Sequence, residues 1–113
     1  MVDCLFCKII NKEIPSELLY EDDKVIAFKD INPQAPVHFL VIPKEHIESA
    51  NHINDHNKDL IGHIFNIISK LASEQDLELG YRIVNNCDSH GGQTVNHLHF
   101  HILGGRQMLW PPG

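Results

Sequence analysis

The feature that most constrains this chain is the segment at residues 97–105, which reads HLHFHILGG. In a β-strand, successive side chains leave opposite faces. We therefore expect His97, His99 and His101 to share one face of a strand, while the intervening apolar residues line the other. A tag-like or metal-scavenging run of histidines is typically polar and aperiodic, whereas these histidines alternate strictly with large apolar residues. The alternation favours a functional face on a strand that also belongs to the core.

Length and charge limit the classes of protein to which the chain can belong. Its 113 residues suffice for one hydrophobic core, so we expect a single domain over residues 1–113. The formal net charge is −6, and an acidic protein lacks the basic surface that extended nucleic acid requires. A small phosphate group remains an acceptable ligand, because backbone amides and histidines bind phosphate within an acidic protein.

The cysteines and the first residues indicate the compartment. The chain has three cysteines, an odd number that argues against a disulfide framework and fits a reducing environment. No segment reaches the ~18 apolar residues of a spanning helix, and the first residues lack the basic and apolar regions of a secretory signal. We expect a cytoplasmic protein with no membrane partner.

A CxxC pair, Cys4 and Cys7, lies in an apolar stripe that predicts a short helix or turn up to about residue 10. The pair fits a redox site, half of a zinc site, or two small buried apolar residues. No thioredoxin-like βαβ pattern follows, which weakens the redox alternative. With His46 and His97 the two cysteines supply four donors suited to tetrahedral zinc, although the halves are spaced more loosely than in a regular zinc finger.

Hydrophobic periodicity predicts the remaining elements. Strands are expected at residues 17–21, 24–30, 38–43, 81–86 and the histidine segment. Short connections between the first three favour an antiparallel meander. One long amphipathic helix is expected from about residue 55 to 76, capped by Asn54 or Asp55. His56 and His63 would lie on its solvent side.

Taken together, these segments resemble the histidine triad (HIT) superfamily. The histidine strand has the form HxHxHxx, with apolar residues between the histidines. Further motifs resemble the Hint branch, the purine nucleotide phosphoramidases, in the same order along nearly the whole chain. They are FKDINPQAP at 28–36, HFLVIPK at 38–44, GGQT at 91–94, GGRQM at 104–108 and WPPG at 110–113.

The resemblance implies an α+β fold of the HIT type, with a five-stranded antiparallel sheet, one long helix and a short N-terminal helix. It also implies a homodimer that joins two such sheets, with Trp110 and its neighbours at the contact between subunits. The order of elements predicted from periodicity agrees with this architecture, whereas the dimer follows from the resemblance alone.

The resemblance further implies hydrolysis of purine nucleoside 5′-phosphoramidates, such as AMP joined to an amine or to lysine. Neutral imidazole is a competent nucleophile because its ordinary pKa is about 6.5. In the resembled family the middle histidine attacks the α-phosphorus, so His99 would carry a covalent nucleotidyl intermediate that water releases. His101 and His38 would hydrogen-bond the phosphate or the departing atom, and one of them would protonate a leaving amine. His97 completes the triad.

Other residues match the family's nucleotide contacts. Asp30 resembles the acceptor for the ribose hydroxyls, although an aspartate at a strand end is also an ordinary turn residue. Ile31 and Phe28 would contribute to an apolar slot for adenine or guanine. The contacts expected near the α-phosphate are Asn86, Gly91, Gly92, Gln93 and Thr94.

Some members of the superfamily bind zinc through an N-terminal CxxC, a histidine after the third strand and the first histidine of the triad. The counterparts here are Cys4, Cys7, His46 and His97. The resemblance therefore implies a structural zinc, since protein donors fill all four positions and leave none for a reacting water. His97 would hold the metal beside the nucleophile and help to position it.

Two other functions remain open. One is cleavage of dinucleoside polyphosphates or nucleotidyl transfer, which other HIT branches perform. Transferase branches tend to carry glutamine where this chain has His101. The other is a non-catalytic nucleotide-binding adaptor, which the intact set of four histidines disfavours. No organic cofactor is expected.

Overall fold

The computed structural model describes residues 4–113, and the first three residues of the predicted domain lie outside it. The elements are α1 (Leu5–Ile10), β1 (Leu18–Glu21), β2 (Val25–Lys29), β3 (Val37–Pro43), a 3₁₀ turn (Ala50–His52), α2 (Lys58–Glu74), β4 (Tyr81–Val84) and β5 (Phe100–Gly104). The predicted α+β architecture, with one long and one short helix, is confirmed. Within residues 4–113, no helix has the length and apolarity needed to cross a membrane.

The five strands form one antiparallel sheet in the order β1-β2-β3-β5-β4. The first three strands follow one another through short connections, as predicted. β5 then inserts between β3 and β4, so that His101 lies opposite Leu40 on one side and Val84 on the other. The last strand of the chain is therefore held from both sides within the sheet.

The predicted start of α2 is wrong. Asn54 and Asp55 belong to the turn before the helix. Asn54 Oδ1 accepts the main-chain amide of the exposed residue His56 at 2.8 Å, and the Asn54 carbonyl accepts the main-chain amide of Lys58 at 2.9 Å. These are bonds of the kind by which an asparagine caps a helix, but the residues that follow Asn54 form a turn before the helix begins. Asn57 occupies the N-cap position without a side-chain cap bond, and α2 begins three residues later than the pattern predicts.

His63 lies outside the buried stripe of α2, as predicted, but it is half-buried and paired with an acidic residue rather than simply solvated. Its Nε2 lies 2.7 Å from Asp22 Oδ2 and ties α2 to the turn between β1 and β2. The Asp22 carboxylate also accepts the Tyr20 hydroxyl at 2.8 Å and the main-chain amides of Lys24 and Val25. Burial opposes ionisation of this carboxylate, but the four donors hold its pKa well below the usual range.

The two faces of the sheet are packed differently. On the first, which we call the α2 face, the buried stripe of α2 consists of Ile64, Ile67, Ile68, Leu71 and Ala72. The apolar residues of the histidine segment, Leu98, Phe100 and Ile102, pack on this same face. On the second, the α1 face, Phe6 and Ile9 of α1 cover Ile26, Phe28, Leu40 and Ile42.

β5 begins at Phe100, three residues after the start of the predicted strand. The backbone just before it finds partners outside the ladder, since the Leu98 amide donates to the Ile47 carbonyl at 2.6 Å and Asn85 Nδ2 donates to the His99 carbonyl at 2.8 Å. The alternation of side chains nevertheless extends through this segment, because Leu98 packs on the α2 face while His99 contacts Phe6 on the α1 face.

Candidate functional site

Four histidines form a continuous row on the α1 face. His38 begins the buried part of β3, His101 lies on β5, and His99 and His97 lie in the segment that enters β5. Ring centroids are 5.2 Å apart for His38 and His101, and 5.1 Å apart for His101 and His99. All except His101 are buried. The row brings together the four histidines singled out in the sequence.

His99 has a defined tautomer. Its Nδ1 lies 2.7 Å from the carbonyl oxygen of His97, and because a carbonyl only accepts, Nδ1 carries the proton and Nε2 keeps its lone pair. Burial lowers the pKa of this ring, although the same hydrogen bond and the charge of Asp30 act in the other direction. His99 thus presents a neutral imidazole with one unprotonated nitrogen, as a nucleophile must.

His38 and His101 have defined tautomers as well. The main-chain amide of Gln34 donates to His38 Nδ1 at 3.0 Å, so the proton of the neutral ring is on Nε2. That nitrogen lies 2.9 Å from His101 Nδ1 and donates to it, which leaves the proton of His101 on its own Nε2. Burial lowers the pKa of both rings, that of His101 to about 4. A neutral N–H donor therefore stands beside the His99 ring.

Asp30 serves the turn and the histidines with different oxygens. Oδ1 accepts the amide of Asn32 at 2.8 Å, which is the turn contact considered from sequence. Oδ2 lies 3.5 Å from His38 Nε2 and 3.9 Å from His101 Nδ1. The carboxylate therefore adds negative charge to the row of histidines while it holds the loop that follows β2.

The two residues expected at a base slot differ in accessibility. Ile31 is 93% exposed, next to Asp30, and presents a free apolar surface. Phe28 is 4% exposed and lies under Phe6, with ring centroids 5.7 Å apart. Phe28 thus belongs to the core of the α1 face, and its assignment to base binding stays a prediction.

The loop between β4 and β5 is held together by Gln93. Its Oε1 accepts the Asp88 amide at 2.9 Å, and its Nε2 donates to the Glu48 carbonyl at 2.7 Å and to that of Val95 at 2.9 Å. The side-chain amide is thus engaged within the protein. The backbone packs tightly at Gly91, where a Cβ would lie 2.3 Å from the Cys87 carbonyl oxygen.

The other predicted phosphate contacts lie in or beside this loop. Gly92 has a φ of +77°, which a residue with a side chain rarely adopts. Thr94 is exposed and Asn86 is half-buried. Their contact with a phosphate stays a prediction.

The four predicted metal ligands converge beside His99. Cys7 Sγ lies 3.3 Å from His46 Nδ1 and 3.7 Å from His97 Nδ1, while His97 Nδ1 lies 3.5 Å from Cys4 Sγ and 3.1 Å from His46 Nδ1. All four donor atoms lie within 4.8 Å of one another. Tetrahedral zinc with ordinary bond lengths separates such donors by about 3.3–3.6 Å. The donor set and its spacing fit zinc.

The protonation of His97 fits the same ion. Its Nε2 donates to the Pro43 carbonyl at 2.8 Å, so the lone pair is on Nδ1, the nitrogen that faces the cysteines. Burial lowers the pKa of His97 to about 4, which keeps it neutral. Burial also raises the pKa of the Cys7 thiol to about 11, so a bound cation would displace a proton from it.

A second group, Asp30, His38 and His101, also brings its donor atoms within 4.8 Å. Here the Gln34 amide already occupies His38 Nδ1, and Nε2 holds the ring proton. A metal at Nε2 would require either loss of that amide bond or a doubly deprotonated ring. The tautomers therefore favour a proton relay at this group over a metal site.

Three contributors to the site escaped sequence reasoning. Phe6 covers His99 edge-on with ring centroids 5.0 Å apart, Asn85 holds the His99 carbonyl, and the Gln34 amide orients His38. In the sequence, Phe6 was recognisable only as part of an apolar stripe. The polar contact near the phosphate was assigned to Asn86 rather than to its neighbour Asn85. A main-chain amide leaves no mark in the sequence at all.

Comparison with known proteins gives consistent matches over the chain. A family model described as "Scavenger mRNA decapping enzyme C-term binding" matches residues 3–110. The chain is 49% identical over 111 residues to an uncharacterized HIT-like protein from Synechococcus elongatus, covering 98% of this chain and 97% of the relative. It is 48% identical over 111 residues to a 14 kDa zinc-binding protein from Zea mays, covering 96% and 87%.

Solved structures match at similar identity. A HIT family hydrolase from Legionella pneumophila Philadelphia 1 superposes with a TM-score of 0.96 at 53% identity, covering 98% of this chain and 100% of the other. A histidine triad protein from Clostridium difficile superposes with a TM-score of 0.92 at 51% identity, covering 96% of each chain. These matches span the strands, the loop and the tail that surround the four histidines.

Proposed function

The chain belongs to the histidine triad superfamily, and from this premise we propose that it hydrolyses purine nucleoside 5′-phosphoramidates of the AMP-amine or AMP-lysine class to nucleoside monophosphates. One observation carries the proposal: His99 Nε2 has a free lone pair, and the adjacent His101 Nε2 carries a proton. Cleavage of a P–N bond needs a nucleophile and an acid in these states. The name of the Legionella relative, a hydrolase, supports this class of reaction.

In the first step His99 Nε2 attacks the α-phosphorus, and a bond from nitrogen to phosphorus forms. The P–N bond to the amine breaks, and its electron pair stays on the amine nitrogen. That nitrogen takes the proton from His101 Nε2, so the amine leaves neutral and His101 is left as an imidazolate beside the positively charged ring of His99. Asp30 and the His97 carbonyl favour the positive charge that His99 bears in the intermediate.

In the second step water attacks the phosphorus of the nucleotidyl-histidine. His101 Nε2 now has a lone pair and accepts a proton from this water. The bond between phosphorus and His99 breaks, its electron pair returns to Nε2, and the nucleoside monophosphate is released. Both histidines return to their starting tautomers, which the His97 carbonyl and His38 hold through hydrogen bonds.

We assign the nucleotide to the surface beside this row. Asp30 is proposed to accept a ribose hydroxyl, and Ile31, with its exposed side chain, to contact the purine. Phosphate contacts are assigned to the loop before β5, from Asn86, Gly92 and Thr94, with Gln93 acting through its main chain. An apolar base slot with few directional donors fits adenine and guanine alike.

We further propose a structural zinc held by Cys4, Cys7, His46 and His97. The donor distances given above support it, and the Zea mays relative is named a zinc-binding protein. When bound, the ion supplies a rigid cross-link between α1, the segment after β3 and the segment that enters β5. The three cysteines in the described chain are free thiols, which suits the reducing cytoplasmic location that we propose.

A homodimer is proposed at the edge of the sheet formed by β4. In the described chain β4 pairs only with β5, and a groove of about 790 Å³ runs along it between residues 76–83 and 105–108. Leu79 is fully exposed and Trp110 is 83% exposed nearby. An open strand edge flanked by large apolar side chains is stabilised when a second copy covers it. Light scattering coupled to size exclusion tests this dimer.

The function is tested by trapping the intermediate. Adenosine 5′-phosphoramidate is mixed with the protein, the reaction is quenched by denaturation without acid, and intact mass is measured. Wild type should gain the mass of one adenylyl group, and a His99→Asn variant should gain none. Product formed at the wild-type rate by His99→Asn would overturn covalent catalysis at this residue.

The second candidate is cleavage of a dinucleoside polyphosphate, favoured by the family model whose description names a decapping enzyme. The two substrates differ in their leaving groups, because a polyphosphate leaves without needing a proton. Steady-state rates on adenosine 5′-phosphoramidate and on diadenosine polyphosphate decide between them. Nucleotide binding with turnover of neither substrate would instead favour the non-catalytic adaptor.

A further inference from the structure

The loop at residues 30–36 meets His38 Nδ1 through a single main-chain group. The Gln34 amide donates to His38 Nδ1 at 3.0 Å. We propose that Arg106 and the Gln34 amide act together as a positioning unit that holds His38 in the tautomer needed to make His101 a proton donor, and that this unit sets which leaving groups the protein can expel. This role rests on the phosphoramidase activity proposed above.

The unit reaches the loop from the segment that follows β5. Arg106 Nη2 donates to the Gln34 carbonyl at 3.1 Å, while the amide of the same residue faces His38. The guanidinium thus holds one polar group of Gln34 while the histidine holds the other. A charged donor makes a stronger hydrogen bond to a carbonyl than a neutral one.

A second contact keeps the same two segments together. Gly105 has a φ of +88°, and a Cβ built on it would lie 2.9 Å from Pro36 Cβ. The chain therefore needs glycine here for its backbone conformation and for the close approach to the loop. Within the loop, Asp30 Oδ1 accepts the Asn32 amide, and Gln34 Nε2 donates to the Asn32 carbonyl at 3.0 Å.

Loss of the Gln34 amide would change the direction of the hydrogen bond between the two catalytic rings. With Nδ1 of His38 no longer occupied by a donor, the ring proton can move from Nε2 to Nδ1. His38 Nε2 would then accept from His101 Nδ1, and the lone pair of His101 would be on its Nε2. The nitrogen that should protonate the amine would have no proton to give.

The consequence depends on the leaving group. An amine departs only when protonated, whereas 4-nitrophenolate departs as an anion without a proton. A change in tautomer should therefore slow the phosphoramidate and spare the 4-nitrophenyl ester of AMP. A loosened or partly unfolded site would slow both substrates equally.

Two variants and two matched controls test this selectivity. Gln34→Pro removes the amide N–H, and Gln34→Ala removes the side chain but keeps the N–H. Arg106→Met removes the guanidinium contact. Its control, Arg82→Met, removes an arginine that does not contact Gln34, since its Nη2 donates to the Leu109 carbonyl at a distance of 2.8 Å. The control variants should keep the wild-type ratio of the two rates.

We expect kcat for the phosphoramidate to fall about 100-fold in Gln34→Pro, the lower end of the range that a general acid contributes. In Arg106→Met, which keeps the amide but loses its support, we expect a fall of about tenfold. The rate for the 4-nitrophenyl ester should change less than about twofold. Equal slowing of both substrates in Arg106→Met, or an unchanged ratio in a folded Gln34→Pro, would overturn the proposal. If Gln34→Pro does not fold, Arg106→Met decides.

Ring nitrogens observed by ¹⁵N NMR give a readout without turnover. Wild type and both controls should show His38 protonated at Nε2, and Gln34→Pro or Arg106→Met should show protonation at Nδ1. His38 protonated at Nε2 in both test variants would overturn the positioning role. A wild type that cleaves neither substrate would refute the proposed function, and the ring tautomers alone would then decide whether the unit positions His38.

Discussion

The α2 face and the α1 face of this sheet are built from the same strands, yet they differ in what they bury. The α2 face packs a 17-residue amphipathic helix onto an entirely apolar cluster. The α1 face has a helix of only 6 residues, and the buried histidines His38, His97 and His99 lie on or beside it. One face supplies most of the apolar burial, and the other has the buried histidines to which we assign the chemistry.

The comparison shows how the α1 face tolerates its polar groups. A buried polar atom is costly unless it has a hydrogen-bond partner. In residues 4–113, every buried side-chain nitrogen and oxygen has one. The partners are main-chain carbonyls, the Gln34 amide and other rings, and the same bonds that satisfy the histidines also select their tautomers. The same hydrogen bonds therefore satisfy the buried groups and fix their tautomers.

The sharpest test of this difference between the α1 face and the α2 face is to change neighbouring residues that point to opposite faces. On the α1 face, His99→Asn should lower kcat for adenosine 5′-phosphoramidate by about 10³-fold or more, because an amide is not a nucleophile. The asparagine side chain can still donate toward the His97 carbonyl, so the free energy of unfolding should change by less than about 1 kcal/mol. Urea denaturation and steady-state kinetics measure the two quantities, and wild-type kcat in the variant would contradict the nucleophile assignment.

On the α2 face, Phe100→Ala should have the opposite profile. Its ring is 5% exposed and meets Phe65 edge-on with centroids 5.4 Å apart. Removing it should lower the free energy of unfolding by about 3–5 kcal/mol, through lost burial and a residual cavity. kcat of the folded fraction, measured at low temperature, should stay close to wild type. Phe65→Ala, at the partly exposed side of the same contact, should cost less, and a larger loss there would contradict the packing argument.

Zinc should stabilise the α1 face in particular. With free zinc at about 100 times its Kd, a site that binds only the folded state adds about 2.7 kcal/mol to the free energy of unfolding. Cys7→Ser should lose most of this gain and the bound zinc. Cys87→Ser, which changes a loop cysteine outside the four ligands, should keep both. Metal analysis with denaturation in the presence and absence of a chelator measures the effect, and equal gains in the two variants would refute the site.

Acid should destabilise the α1 face through His101. Burial, followed by repulsion from the nearby rings of His99 and His38, lowers its pKa from 6.5 to about 4. The unfolded chain therefore takes up a proton near pH 6.5 that the folded chain does not accept until about pH 4, and stability is lost as the pH falls between these values. At pH 5 this loss is about 2 kcal/mol.

Urea denaturation at pH 7.5 and pH 5 measures this loss in the free energy of unfolding. His101→Gln lacks the titrating ring. Its free energy of unfolding should therefore differ between the two pH values by about 2 kcal/mol less than that of wild type. The other buried histidines titrate in both proteins and cancel in the comparison. An identical pH dependence in wild type and His101→Gln would mean that this ring is not neutral in the folded state.

Local patterns in the sequence predicted the order and type of the elements and placed His97, His99 and His101 on one face, whereas His38 joined them only through the family resemblance. Alternation in residues 97–103 is a property of the covalent chain, so the division of Leu98 and His99 between two faces required only that the segment be extended. The ends of elements were less predictable. α2 starts only after the turn at residues 54–57, and the backbone before β5 bonds to Ile47 and Asn85, which are distant in sequence.

His63 shows the same limit within a correctly predicted helix. Periodicity placed it outside the apolar stripe of α2, which holds, but could not show that Asp22 reaches it from 41 residues away. A polar position on a helix is solvated or paired according to what another element brings to it. That information is in the packing of α2 against the turn between β1 and β2.

By itself, the sequence determined the kinds of groups present and the face on which each would lie: imidazole rings on one side of a strand, apolar packing on the other, and four donors that suit zinc. Only the tertiary structure decided the protonation of those rings. A tautomer depends on which donor or acceptor meets each nitrogen, and here the partners are the His97 carbonyl, the Pro43 carbonyl and the Gln34 amide. Every residue but proline carries such an amide and every residue such a carbonyl, so folding alone selects the ones that set these tautomers.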